Sequence, residues 1–133
     1  MVSQSISHYR IIRKLGQGGM GEVFLAEDVT LERKVAIKVL PAKSIESADA
    51  RKRLIREATA AAILDHPNIC SIYEVNEESI FIAMQYVDGD TLSNLIKGAP
   101  LDAKNVVDIG LQVADALNEA HSQGIIHKRR SDF

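Results

Sequence analysis

The run Gly16-Gln17-Gly18-Gly19-Met20-Gly21 constrains this chain more than any other feature, because four glycines in six residues suit neither a helix interior nor a strand interior. The segment reads as a flexible loop, and its flanks say what it joins. Tyr9 to Leu15 is an apolar run broken by Arg10, Arg13 and Lys14. Glu22 to Glu27 alternates, with Val23 and Leu25 on one face and Glu22, Phe24 and Ala26 on the other, as a period of two requires. The spacing predicts an antiparallel hairpin across the glycines. After the polar stretch Asp28 to Lys34, the β-branched run Val35-Ala36-Ile37-Lys38-Val39-Leu40 predicts a third strand, which Pro41 ends.

The remainder separates into helix and strand by the same logic. Ala50 to Leu64 is rich in helix formers and free of Gly and Pro, and Asp65-His66-Pro67-Asn68 breaks it. Ile69 to Val75 and Ser79 to Val87 read as two further strands around Asn76-Glu77-Glu78. Asp88-Gly89-Asp90 interrupts the pattern, Thr91 to Ile96 reads as a short helix, and Lys97-Gly98-Ala99-Pro100 breaks it again. From Asp102 to Gln123 the apolar positions Val106, Ile109, Val113, Leu117 and Ala120 recur every three or four residues, and Gly124 is placed to end that helix. The expected organisation is a polar tail over 1–8, a sheet-rich unit over 9–87, and a linker with helices over 88–133.

Charge and composition exclude several classes. Sixteen Lys and Arg against 18 Asp and Glu leave a net charge of −2 over 133 residues, so neither a nucleic-acid surface nor a basic membrane surface is expected. One cysteine, Cys70, forbids a disulfide framework or a zinc cluster. No apolar run approaches the roughly 18 residues of a bilayer span, and the start of the chain lacks the apolar core of a signal peptide. A cytoplasmic location is the expectation.

A G-x-G-x-x-G loop serves dinucleotide-binding folds as well, but there it opens into a helix and is followed about 20 residues on by an acid. Here Gly21 is followed by strand-like residues, and Lys38 stands near the place of the acid. The P-loop ending in Gly-Lys-Ser/Thr is absent. G-x-G-x-x-G-x-V in a hairpin, with a Val-Ala-Ile-Lys strand behind it, resembles the small lobe of a protein kinase, and Gly18-Gly19-Met20-Gly21-Glu22-Val23 resembles most the bacterial Ser/Thr kinases of eukaryotic type. The resemblance implies an α+β fold: a five-stranded antiparallel sheet with one helix, followed by the first helices of a truncated large lobe.

It also implies roles, residue by residue. Gly16, Gly18 and Gly21 would let the backbone lie over ATP phosphates, and Leu15, Val23 and Ala36 would roof the adenine. Lys38 matches the lysine that holds the α and β phosphates, and Glu57 its partner carboxylate. On the helical wheel Glu57 falls within an arc formed by Leu64, Ala61, Leu54 and Ala58, so an ion pair with Lys38 is expected; the alternative is an exposed pair with Arg53. Ile82-Ala83-Met84 followed by Gln85-Tyr86-Val87 resembles the last small-lobe strand and the hinge. Met84 is then the gatekeeper, and the backbone groups of Gln85 and Val87 would read the adenine edge, so the change from the family's common glutamate to Gln85 should matter little. Asp88 or Asp90 would reach the ribose. His66, in His-Pro-Asn-Ile, is expected to serve structure.

The chain departs from the family after Gly124-Ile125-Ile126-His127. Lys128 and Arg129 follow where the family has Arg and the catalytic Asp, and no counterpart of the Mg²⁺-holding Asn and Asp is found. No catalytic residue and no protein metal ligand is therefore assigned. The expected function is the ATP-binding portion of a serine/threonine-type kinase, with weak ATP binding, Mg²⁺ arriving only with the nucleotide, and no phosphoryl transfer by this chain alone. The alternative is a non-catalytic interaction module or gene fragment whose exposed helix, 102–123, docks a protein partner.

Overall fold

The computed structural model of the chain describes residues 4–18, 21–40 and 48–126. They form two compact units, one from the residues up to 63 together with 70–86, the other from 64–69 and 87 onward. The first unit is built on six strands: β1 (Ser5–Ile6), β2 (Tyr9–Gly18), β3 (Gly21–Asp28), β4 (Arg33–Val39), β5 (Ile72–Asn76) and β6 (Phe81–Gln85). They make one antiparallel sheet in the order β1-β2-β3-β4-β6-β5.

Five of these strands are the expected ones; the sixth, β1, lies inside the expected polar tail. Its two residues fold back on β2, with Ile6 opposite Tyr9, through a turn in which Ser7 takes φ 55°. Ile6 packs against the core, which is the gain that orders so short a strand. β2 and β3 run into the glycines as far as the pair Gly18–Gly21, and Gly21 sits at φ 104°, a conformation only glycine adopts without strain.

Extra residues in the ladders curl the sheet. The β2–β3 register shifts between Ile11 and Arg13 and again between Lys14 and Gly16, and the β5–β6 register shifts between Ile72 and Glu74. Each bulge adds local twist. In a flat sheet of this order β2 and β5 would be about 19 Å apart, four strand spacings. Yet the Tyr9 hydroxyl donates to Glu74 Oε2 at 2.5 Å, so the sheet is bent into a half-barrel.

The core fills its inner face. Tyr9, Ala26, Val35, Ile37, Phe81 and Ala83 form one buried cluster, with the Tyr9 ring edge-on to Phe81 at 5.7 Å between centroids. Phe81, Ile37 and Val35 are the largest fully buried side chains, and such burial contributes roughly 1.5 to 3 kcal/mol each. At the rim of this core Asp28, 2% exposed, accepts the Thr30 and Leu31 N–H groups at 3.0 and 3.1 Å and so shapes the β3–β4 turn. Helix α1 (Ala48–Ala61) lies beside β5, burying Ile55 and Ala58, and Arg51 donates to the Glu77 carbonyl.

The second unit holds α2 (Leu92–Ile96) and α3 (Ala103–Ser122). Each is capped by the residue the sequence supplies: Thr91 Oγ1 accepts the Asn94 N–H at 3.1 Å, and Asp102 Oδ1 accepts the Asn105 N–H at 2.8 Å. α3 is closed by Gly124, two residues beyond its end, which takes φ 77°, with Gly124 N–H bonded to the His121 carbonyl and Ile125 N–H to the Ala120 carbonyl. His66 is used structurally. Its Nδ1 accepts the Asn68 N–H at 3.0 Å, so its proton sits on Nε2, 3.0 Å from Asp115 Oδ2 on α3.

Candidate nucleotide site

The strand register decides which side chains share a surface. Val23 lies opposite Lys38, and Lys38 opposite Ile82; Leu25 lies opposite Ala36, and Ala36 opposite Met84. Cross-strand partners project to the same face, so Val23, Ala36, Lys38 and Met84 come together on the side of the sheet away from the core cluster. Leu25 and Ile82 complete that face. The sequence reading gave neither a place in the site, although each stands two residues from one that it did place, which is the signal that finds them. Ala36 is 7% exposed, while Val23, Lys38 and Met84 are half-buried.

The glycine hairpin adjoins this face through Gly16, which pairs with Val23. A Cβ built on Gly16 would meet no atom within 4 Å, and its backbone is not in the left-handed region. Nothing in the fold therefore demands glycine there. Leu15 is the extra residue of the bulge between Lys14 and Gly16, and it is half-buried. Gly18 closes the β2–β3 ladder opposite Gly21.

Glu57 is exposed, and among the described residues no ion pair joins it to Lys38 or to Arg53. The reason lies in the helix. α1 ends at Ala61, so Leu64, though buried, lies beyond the helix and does not belong to its face; Ile55, which the expected arc omitted, does. At about 100° per residue, Glu57 stands roughly 130° from the midpoint between Ile55 and Ala58. The Gln85 side chain is also engaged, Oε1 accepting the Ser71 N–H at 3.2 Å. Val87 is 61% exposed and belongs to the second unit, as do the exposed Asp88 and Asp90.

The catalytic-loop departure at His127, Lys128 and Arg129 lies outside the described residues. Among the described residues no group of three or more His, Cys, Asp or Glu side chains could hold a metal ion. The chemistry on this face is that of the Lys38 ammonium beside apolar side chains, next to Gly16, whose Cβ position is open. Such a face suits a flat apolar ring joined to an anion.

Comparison with known proteins gives the class. The family model described as the protein kinase domain matches residues 9–129, and the chain belongs to that family. Among its relatives, serine/threonine-protein kinase PrkC of Bacillus subtilis is 42% identical over 132 residues, covering 96% of this chain and 20% of that protein. Serine/threonine-protein kinase PknJ of Mycobacterium tuberculosis is 44% identical over 122 residues, covering 90% of this chain and 21% of that protein. The crystal structure of the PknI kinase domain of Mycobacterium tuberculosis superposes with a TM-score of 0.83 at 32% identity, over 98% of this chain and 54% of that one. The chain thus spans about a fifth of the curated relatives it matches and about half of that solved kinase domain.

Proposed function

We propose that this chain is the nucleotide-binding portion of a serine/threonine-type protein kinase, which takes ATP against the Val23, Ala36, Lys38 and Met84 face and does not itself transfer phosphate. The observation that carries the reading is the cross-strand register. It sets a small residue, Ala36, and an ammonium, Lys38, two residues apart on one face, so a base lying on the first leaves its phosphates near the second. Gly16 supports it, since open space at its Cβ leaves room for phosphates to approach the backbone.

In this proposal Leu15 and Val23 cover the base, Gly16, Gly18 and Gly21 line the phosphates, and the backbone of Gln85 and Val87 bonds the adenine edge. Glu57 belongs to it as the carboxylate that pairs with Lys38 when nucleotide is bound. Mg²⁺ enters with the nucleotide, and no step is assigned to it. Lys128 and Arg129 after His127 are the reason no transfer is expected. No helix among the described residues is long and apolar enough to cross a membrane, and a cytoplasmic location is part of the proposal.

The test is titration of the chain with ATP, followed by NMR at residues 23, 36, 38 and 84. A dissociation constant on the order of 0.1 to 1 mM or weaker is expected, with Lys38→Met weakening it further. Sub-micromolar affinity would overturn the weak-binding reading, and absence of binding the whole of it. Radiolabelled γ-phosphate transfer that depends on Lys38 would overturn the inactivity.

One observation favours a second reading. α2 and α3 form an apolar groove of about 420 Å³ lined by Leu92, Ile96, Leu101, Val106, Ile109 and Val113, and Val107 and Leu111 of α3 are 58% and 65% exposed. A chain that docks a protein partner through α3 would bury these residues. It would show their protection on partner binding and no response to ATP.

A further inference from the structure

The end of β6 carries an exchange of hydrogen bonds that regular pairing does not explain. The β5–β6 ladder starts at Ile72 opposite Met84. One pair beyond it, the Gln85 N–H donates to the Ser71 carbonyl at 2.8 Å. In an antiparallel pair that exchanges both bonds, the return bond runs from the Ser71 N–H to the Gln85 carbonyl. Here the Ser71 N–H donates to Gln85 Oε1 instead, at 3.2 Å.

The alternation along β6 gives this substitution its meaning. The Ile80 carbonyl accepts the Leu40 N–H at 3.2 Å, so positions 80, 82 and 84 direct their backbone groups toward β4 and positions 81, 83 and 85 toward β5. The Gln85 carbonyl therefore lies on the edge where Ser71 would have supplied its donor, and the Gln85 side chain has taken that donor away.

We propose that Gln85 is a positioning residue whose side-chain oxygen replaces its own carbonyl at the Ser71 N–H, leaving that carbonyl open to an N–H donor on a ligand. The inference rests on the nucleotide reading above and deepens it. A bare carbonyl at this position accepts from the exocyclic amine of adenine and repels the carbonyl that hypoxanthine carries at the same place. Gln85 thereby favours an amino-purine without touching it. Glutamate would do the same, because a carboxylate also accepts, whereas an apolar side chain would return the Ser71 N–H to the ladder.

The test uses the unmodified chain, Gln85→Leu and Gln85→Glu, with two readouts. The first is scalar coupling across the hydrogen bond from the Ser71 amide to the carbonyl of residue 85, measured without ligand. It should be absent in the unmodified chain and in Gln85→Glu, and present in Gln85→Leu. The second is NMR titration with ATP and with ITP. Gln85→Leu should weaken ATP about fivefold, the worth of one net hydrogen bond, and narrow the preference for ATP over ITP, while Gln85→Glu keeps both.

A coupling already present in the unmodified chain overturns the proposal, and that measurement stands even if Gln85→Leu fails to fold. Equal ATP binding by Gln85→Leu and the unmodified chain overturns it while leaving the nucleotide reading intact. No ATP response at all in the unmodified chain overturns the nucleotide reading, and the proposal with it.

Discussion

Replacing Tyr9 by phenylalanine removes the hydroxyl that joins β2 to β5 and leaves everything else at that position in place. The ring stays edge-on to Phe81, and at 3% exposure it fills the same volume, so no cavity term enters. What is lost is a hydrogen bond to a carboxylate, a class that contributes about 1.5 to 3 kcal/mol. Glu74 keeps 31% of its side-chain surface in water and is 3.9 Å from His8 Nε2, so its charge is not stranded when the hydroxyl goes. The loss should therefore fall near the lower end, about 1.5 kcal/mol, or about 1 M in the urea midpoint at a typical slope. Glu74→Gln should lose less, and the double variant should recover about 1 kcal/mol of coupling.

The same bond has a pH signature. Burial first, and then the Glu74 carboxylate, push the Tyr9 phenol above its ordinary 10.0. The folded chain holds this proton to higher pH than the unfolded chain does. Its stabilisation is complete below about pH 10 and is lost as the pH climbs through the raised value. Urea midpoints measured by circular dichroism at pH 8 and pH 10.5 should fall more steeply for the unmodified chain than for Tyr9→Phe. Parallel slopes, together with a Tyr9→Phe loss below about 0.5 kcal/mol, would refute the closing role.

Three further outcomes are expected. Gly16→Ala should leave stability unchanged or raise it by about 0.4 to 1 kcal/mol, since its Cβ has space and its backbone no special φ, while weakening ATP binding in the NMR titration; a marked destabilisation would show that the fold needs this glycine. Gly124→Ala should cost about 1 kcal/mol by forcing a side chain into φ 77°, visible as fraying of the last turn of α3 in amide exchange. Asp28→Ala should cost about 2 kcal/mol, because two turn N–H groups lose their acceptor, and Asp28→Asn should recover about half in chemical denaturation.

Much of the fold is written in local pattern. The alternation in 22–27 and 35–40 and the caps at Thr91, Asp102 and Gly124 each act within a few residues, so the segments they define are found within two or three residues of their expected ends. What was not legible depends on register. Tyr9 and Glu74 are 65 residues apart, and no local pattern announces that the sheet curls far enough for them to meet. β1 is too short to show a period. The Ser71–Gln85 exchange follows from a ladder that shifts by one residue, which no spacing of residue types reports. The exposure of Glu57 was not legible because the arc was drawn through Leu64, beyond the end of α1 at Ala61, and so tilted away from Ile55.

The clasp between His66 and Asp115 makes the second unit discontinuous in sequence, since the β5–β6 hairpin is threaded between its two pieces. α3 can wind up from local contacts, but its anchoring waits for a loop of 49 residues to close, a step that costs chain entropy growing with the logarithm of that length. A fragment beginning at residue 87 would carry the helix without the histidine that holds it. Protease cleavage within the hairpin would instead leave both pieces of the unit present, to hold together only as well as that clasp and its neighbours allow.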